Sequence, residues 1–579
     1  MQTRRNIAAS VASVLAGLIL LAVSLVHGGG FLTRAARAHG GWVLACLAGA
    51  ALFTGLPGLR RLRSFVHKAV FESDTSRFYP AVFFIAVASC ALTSLIVFHA
   101  SPRIDDEVSA LFQARIFARG AVTLPLPPHP EFFEEFCVLG GKANCGHWVT
   151  MYPPGWPMLL VPGVLVGFPW MVDPILGGLL VVMIVLLGVE MFGLRAGRTA
   201  GLLALSSPFL THMAATHMTH TATALFLALF MWGMIRLLNT GRPAFGTLSG
   251  GAWSMAFLCR PFTALIAGAL IALVVLGRPR QAWAARRGLG LALVLALAGL
   301  ATIAAWQYAT TGDPLKSGYQ AEIGERDRLG FYGNYTPWQA GQHTERRIYV
   351  VNQQLLGWPV LALWIVSLPF LFGRARGKEA WLLAPLAGLL AGYAFYWYFE
   401  WEIPGRYVFE AMPMLLILAA RGLGILDDAE IRVRRTAKPL ASAILLISGL
   451  LFSLTAGFQA QFKRFGPDYY DVEDTLPRLM KEFHVHKALV FIQGKGYFGT
   501  GFMRNSLDLR GDIVFARDLG DSADRVLMAH YRGRRYYRYM FAKQLKDAFL
   551  SEIHVTETGI KSVRLHAPAA TGSGPVPGS

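Results

Sequence analysis

Charge is scarce in this sequence. Of its 579 residues only 15% are charged, whereas soluble domains carry about 25%, and 54% are hydrophobic, with a mean hydropathy of +0.44. The deficit excludes a single water-soluble globule, and it equally excludes disorder and a fibrous repeat. Acids are scarcer than bases, 35 against 54, which leaves a net charge of +19. In a soluble protein that excess would suggest nucleic-acid binding; in a membrane chain the position of each basic residue matters more than the sum, and no nucleic-acid partner is expected. Two kinds of symmetry are also missing. There is no internal repeat of roughly 20 to 50 residues, and no pair of matching halves with Gly/Pro-broken helices, as a secondary transporter shows.

What the sequence does have is long apolar runs. A membrane span needs about 20 mostly apolar residues, and thirteen stretches qualify, near 7–27, 42–59, 79–99, 171–193, 199–215, 220–238, 244–259, 262–277, 288–306, 354–373, 380–399, 406–424 and 438–459. Arg4 and Arg5 precede the first as in a secretory signal, but no small-residue cleavage site follows, so it reads as a retained anchor. Basic residues collect on cytoplasmic loops. They cluster at 60–77, 194–198 (Arg195, Arg198), 236–242, 278–287, 374–378 and 432–438. All six fall on one side only if the stretch 153–169 does not cross. It opens with Tyr152-Pro153-Pro154-Gly155-Trp156-Pro157, and three prolines in its first turns make it a poor straight span, so it reads as an interfacial or re-entrant element. The N-terminus is then cytoplasmic and the C-terminus outside.

The expected organisation is a polytopic α-helical membrane protein with anchor helices and a cytoplasmic loop at 1–78 and a membrane core at 79–459. Outer loops fall at 100–152 and 307–353, a small α/β module on the outer face at 460–566, and a disordered Gly/Pro/Ser tail at 567–579. Within the module, Ala488–Gln493 and Asp512–Ala516 read as strands and Ser522–Tyr531 as a helix.

Of five cysteines, Cys46, Cys90 and Cys259 lie in or at the ends of apolar spans, as small buried hydrophobes. Cys137 and Cys145 stand close together in the first outer loop. If that loop faces an oxidising periplasm, a disulfide between them is favoured. The alternative, a metal site with His147, lacks a fourth ligand at zinc-like spacing.

Just past the third span, Arg103, Ile104, Asp105, Asp106 and Glu107 lead into a helical pattern of Val108, Leu111, Phe112, Arg115, Ile116 and Arg119. One carboxylate suits a helix N-terminus, but three exceed what a cap requires, and packed carboxylates raise one another's pKa as a general base needs. A span running into an Asp-Glu pair and an amphipathic helix ending at Arg119-Gly120 resembles the first outer loop of the GT-C glycosyltransferases. That class holds the dolichyl-phosphate-mannose protein mannosyltransferases and the lipid A aminoarabinose transferases. Tyr152-Pro153-Pro154 resembles the class's Pro-Pro motif with Tyr in place of its basic residue. Ser206-Ser207-Pro208-Phe209 with Thr219-His220-Thr221 resembles its turn between two spans, Cys259-Arg260-Pro261 its Thr-Arg-Pro, and Pro404-Gly405-Arg406-Tyr407 through Glu410 and Pro413 a Gly-Pro-Arg-Tyr pattern of bacterial members. The tail segment 514–520 is similar too.

The resemblance implies a GT-C fold and transfer of a single sugar from a polyprenyl-phosphate donor to a hydroxyl of a glycan, lipid or protein acceptor. The resemblance further implies that the reaction would run with inversion, on the outer face of a bacterial inner membrane. Such a transfer needs a base for the acceptor proton and cations for the departing phosphate. Asp106 matches the first acid of the pair, with Asp105 the alternative because the extra acid shifts the register by one; Glu107 would hold the acceptor or tune Asp106. Arg406, Tyr152 and Arg260 are candidates for the donor phosphate, with Arg406 favoured and Arg346 or Arg347 as substitutes for the missing base. His220, Tyr407, Glu400 and Glu402 are candidates for acceptor or sugar. No cofactor is required; a divalent metal at Thr211–His220, where three imidazoles gather, competes with histidines that simply bond loop carbonyls. The aromatics Trp306, Tyr308, Tyr319, Phe331, Tyr332, Tyr335 and Trp338 suit a sugar-stacking wall and an interfacial belt equally. The rival functions are a glycan polymerase or ligase with a pyrophosphate-linked donor, and a secondary transporter.

Overall fold

The computed structural model describes residues 14–20, 22, 44–50, 60–140, 146–375, 377–434, 441–459, 462, 475–494, 498–542, 547–556 and 559–565. The chain divides into two compact units, one of Met1–Ser101, Pro153–Trp306 and Glu325–Gly466, the other of Pro102–Tyr152, Gln307–Gly324 and Pro467–Ser579.

The first unit is helical. Among the described residues, five helices are long and apolar enough to cross a membrane: Thr75–Val97 (α1), Pro169–Phe192, His220–Thr240, Arg286–Thr311 and Arg406–Glu430. This is a multi-pass membrane protein. The expected first two spans fall mostly outside the described residues, and shorter apolar helices occupy others of the thirteen positions, among them Pro261–Leu276 and Ala362–Leu371.

Local chemistry explains where the helices depart from the expected spans. The stretch 199–215 is broken at Ser206-Ser207, because Pro208 cannot continue the first helix and Ser207 Oγ instead accepts the Leu210 N–H at 3.3 Å to start Pro208–Met213. The stretch 354–373 reduces to Ala362–Leu371, since the preceding helix Pro337–Gln354 ends and Gly357 turns the chain at φ 63°. In 380–399 the helix stops at Tyr393, and 406–424 begins as a 3-10 turn, Arg406–Ala411, before Met412–Arg434. The proline-rich stretch is an 11-residue helix, Gly155–Leu165, about 16 Å long at 1.5 Å per residue and too short to cross. Nor is 194–198 a loop: it opens helix Leu194–Leu205, in which Arg198, 1% exposed, donates to Val70 O at 2.9 Å and lies over the Phe78 ring at 4.6 Å.

Small residues let helices of this unit approach closely. In Pro243–Cys259, Gly246 and Gly250 are four residues apart on one face. A Cβ at Gly246 would lie 2.1 Å from Gly288 O, and one at Gly250 2.6 Å from Ala292 Cα, both in Arg286–Thr311. With no hydrophobic drive between helices in lipid, such backbone contact supplies the packing energy.

The second unit joins the first outer loop to the tail. Asp105–Ala118 (α2) is followed by a small antiparallel sheet of Leu124–Pro125 (β1), Val138–Leu139 (β2) and His147–Thr150 (β3), in the order β1-β3-β2. The tail builds Ala488–Gln493 (β4), Ile513–Arg517 (β5), Arg535–Ala542 (β6), Asp547–Thr556 (β7) and Gly559–Arg564 (β8). The strand order is β5-β4-β6-β7-β8, with the first three parallel and the last two antiparallel additions. The expected strands and helix are present, the helix as Asp521–His530. β4 is buried along five of its six residues, as a parallel central strand requires.

Both parts of this unit share one core. Val108, Phe112 and Ile116 of α2 pack with Trp148, Phe491, Phe498 and Phe502. Phe112 lies 4.9 Å from the Trp148 ring and 5.2 Å from that of Phe502. Arg115 then donates to the carbonyls of Met503 at 3.0 Å and Asn505 at 2.6 Å, and Arg517 to that of Glu134 at 3.3 Å.

Candidate functional site

In the second unit, the start of α2 sorts its acids. The cap position is Ile104, without a side-chain bond, so Asp105, Asp106 and Glu107 fill the first turn, where their charge suits the helix dipole. Glu107 is 2% exposed and accepts the Arg103 backbone N–H at 2.6 Å. Asp105 and Asp106 remain half-buried. Cys137 Sγ lies 4.0 Å from Asp106 Oδ1 and 3.2 Å from Tyr152 Oη, and the Tyr152 ring meets Tyr319 edge-on at 5.4 Å.

Long-range bonds hold this group together. Ser109 Oγ donates to Cys137 O and pairs with Thr150 Oγ1, each at 2.6 Å, and Gln113 bridges Val122 O at 2.9 Å and the Thr150 N–H at 3.2 Å. Cys137 adopts φ 69°, a left-handed conformation a non-glycine residue rarely takes; such strain clusters at functional sites. Burial, reinforced by the charges of Asp106 and Asp105, pushes the Cys137 thiol well up, and burial with Asp106 does the same to the Tyr152 phenol. Both therefore keep their protons at neutral pH. Since a carboxylate only accepts, the thiol faces Asp106 as a donor and the phenol donates to sulfur. Cys145 lies outside the described residues, and the expected bridge to Cys137 with it.

In the membrane unit a second group of ionisable residues is gathered. Arg260 sits at the break between Pro243–Cys259 and Pro261–Leu276 (α3), where Pro261 ends one helix and opens the next. Its Nε is 3.2 Å from Glu410 Oε1, its Nη1 3.2 Å from His220 Nε2, and its Nη2 donates to Tyr393 Oη at 2.9 Å. His220 Nδ1 is 2.9 Å from Glu410 Oε1. Arginine can only donate, so Nε2 of His220 accepts, and the proton of the neutral ring is on Nδ1, directed at Glu410.

Tyr407 stacks on Tyr393 at 4.5 Å and 13°, and three guanidinium groups surround its ring: Arg260 at 5.3 Å, Arg347 at 5.5 Å and Arg406 at 5.5 Å. Arg347 Nε binds Glu400 at 3.0 Å, and Arg406 lies 3.4 Å from Glu402, which Tyr398 also bonds. Glu400 further accepts the Gly405 N–H at 2.9 Å, fixing a turn in which Gly405 has φ 81° and its missing Cβ leaves room for Val350.

The membrane unit brings together His220, Arg260, Glu400, Glu402, Arg406 and Tyr407, while Asp105, Asp106, Glu107 and Tyr152 group in the other unit. Arg406 is 3% exposed. Among these arginines Arg260 is the more accessible, with 14% of its side chain exposed against 4% for Arg406 and 1% for Arg347. Glu410 was named from sequence only as a member of the Gly-Pro-Arg-Tyr pattern and Tyr393 only as part of an aromatic run, neither with a place in the site. The signal for Glu410 was its spacing, three residues after Tyr407 on the same turn. Of the other histidines, His217 accepts from Trp156 Nε1 through its carbonyl at 2.6 Å and His212 packs on Phe98 at 5.0 Å. Among the described residues no group of three or more His, Cys, Asp or Glu is placed to hold a metal ion. Tyr308, Phe331 and Trp338 are exposed.

Residues 170–306 match the family model described as dolichyl-phosphate-mannose-protein mannosyltransferase. No curated protein matches the sequence. Among solved structures, ArnT from Cupriavidus metallidurans in the apo state aligns with a TM-score of 0.51 and 13% identity, covering 81% of this chain and 94% of that one. The same protein bound to undecaprenyl phosphate aligns with a TM-score of 0.50 over the same shares at 13% identity. The oligosaccharyltransferase of Archaeoglobus fulgidus aligns less well, with a TM-score of 0.43, 11% identity and coverage of 81% and 70%. The chain has the GT-C fold of membrane glycosyltransferases.

Proposed function

We propose that the protein is a membrane glycosyltransferase that moves one sugar from a polyprenyl-phosphate donor to an acceptor hydroxyl, with inversion. The fold shared with a protein that binds undecaprenyl phosphate supports the donor class. The observation that carries the catalytic assignment is the division among three consecutive acids. Glu107 is spent on the backbone, while Asp106 stays half-buried beside two protonated donors. As the acceptor oxygen attacks the anomeric carbon and the C–O bond to phosphate breaks, Asp106 takes the acceptor proton. Cys137 and Tyr152 orient its carboxylate.

The departing phosphate gains negative charge and needs fixed cations. Arg260, the more accessible of the arginines around Tyr407, takes that role in this reading, and Arg347 and Arg406 hold the aromatic floor beneath it. Glu400 and Glu402, closed on arginines, act as counter-ions that hold the turn, and leave the acceptor to other groups. A half-buried acid pair and a buried arginine cluster suit phosphate-sugar chemistry better than ion transport, in which ionisable residues would line a path.

Transfer of labelled sugar from a polyprenyl-phosphate donor by purified Asp106→Asn, Asp105→Asn and the double variant tests the base. At least one single variant should lose roughly 10²- to 10⁴-fold in rate with an unchanged elution profile; full activity in all three would sink the assignment.

A further inference from the structure

Helices His220–Thr240, Pro261–Leu276, Lys378–Tyr393 and Met412–Arg434 line a groove. Its walls are almost wholly apolar, with Phe230, Met234, Leu270, Trp381 and Leu382 among them, and its two ends differ. One carries Thr263 and Glu410, the latter already closed on His220 and Arg260. At the other end, where two of the helices finish and a third begins, stand Glu190, Asn239, Arg278 and Lys378. Glu190 is matched by Arg236 at 3.2 Å, so the charge that Arg278 and Lys378 bring to this end is not cancelled by the groove's own acid.

The length of the groove is telling. From Thr263 to Val274 the wall runs along one helix for 11 residues, about 16 Å at 1.5 Å per residue, half of the roughly 30 Å hydrocarbon core. An apolar slot one leaflet deep with two cations at its mouth matches a phospholipid, and basic pockets between spans are where anionic lipid headgroups bind.

We infer that this groove binds an anionic diacyl phospholipid, with its phosphate on Arg278 and Lys378 and an acyl chain between the helices, reaching toward Glu410. The lipid fills space beneath the arginine cluster and is distinct from the sugar donor.

Native mass spectrometry of the purified full-length protein tests this, after delipidation and addition of phosphatidylglycerol or phosphatidylcholine with the same acyl chains. One phosphatidylglycerol should be retained in preference to phosphatidylcholine. Removing both cations in Arg278→Gln/Lys378→Gln should weaken its retention about tenfold or more, at roughly 1 kcal/mol per cation. Arg278→Lys/Lys378→Arg should keep it, and Leu270→Trp, which fills the groove but leaves the cations, should lose it. Equal retention of the two lipids by the unaltered protein overturns the inference, and needs no variant to fold. So does undiminished retention in the charge-removed or groove-filled protein, or displacement of phosphatidylglycerol by equimolar polyprenyl phosphate.

Discussion

Three acids in one helical turn have three different surroundings, and these assign them different work. Glu107 holds the Arg103 backbone from a buried position. Glu107→Gln keeps an acceptor but removes its charge, and should therefore cost about 1–1.5 kcal/mol, the difference between a hydrogen bond to a charged and to a neutral group. A thermal melt at neutral pH checks this loss, with activity per folded molecule retained. Tyr152→Phe should lower the transfer rate less than Asp106→Asn and shift its pH profile, because it removes a donor from the relay and leaves the base. His343 supplies a pH dependence of another kind. Burial, with help from Arg347 and Arg346, pushes it down to about 4, whereas an unfolded histidine titrates near 6.5. Between these values the unfolded chain binds the extra proton, so this contribution to stability is complete above about 6.5 and is lost as pH falls toward 4. The melting temperature of His343→Phe should fall less steeply than that of the unaltered protein from pH 7 to 4.5. From the sequence the three acids were legible as a group, since adjacency is visible there. Their separate roles were not, because Cys137 and Tyr152 lie 31 and 46 positions from Asp106, and only the loop's own fold brings them back.

Elements were legible in proportion to how local their causes are. β4 could be read to the residue from an apolar run bounded by polar ones, and the helix at Asp521–His530 nearly so. The apolar runs marked the membrane helices, but composition alone hid their breaks at Ser206-Ser207, Gly357 and Tyr393, where a cap, a left-handed glycine or a buried charge cluster decides the ending. The Gly246/Gly250 seam depends on which helix faces it, which spacing cannot say. Its energetic content can be checked with Gly246→Val, which forces side-chain atoms into the backbone of Gly288. The overpacking should cost about 1–3 kcal/mol and lower the melting temperature in detergent. Gly290→Ala, in the facing helix with nothing within 4 Å of its Cβ, should leave it unchanged or slightly raised.

At the scale of the whole molecule, scarcity of charge identified a membrane chain, and ordered short motifs pointed to a GT-C fold. The first outer loop and the tail share one core, a relation between segments more than 350 residues apart that sequence pattern alone does not carry. Phe112→Ala, which empties the ring position between Trp148 and Phe502, should cost about 3–5 kcal/mol and loosen the acid-bearing helix and the tail together, seen as joint loss of hydrogen-exchange protection. The central claim concerns what leaves when the sugar is transferred. Mass spectrometry of the lipid released in a single-turnover reaction with purified protein, donor and acceptor measures this directly. The account predicts polyprenyl monophosphate, formed in step with glycosylated product and absent with the Asp105→Asn/Asp106→Asn variant; release of polyprenyl pyrophosphate would contradict it.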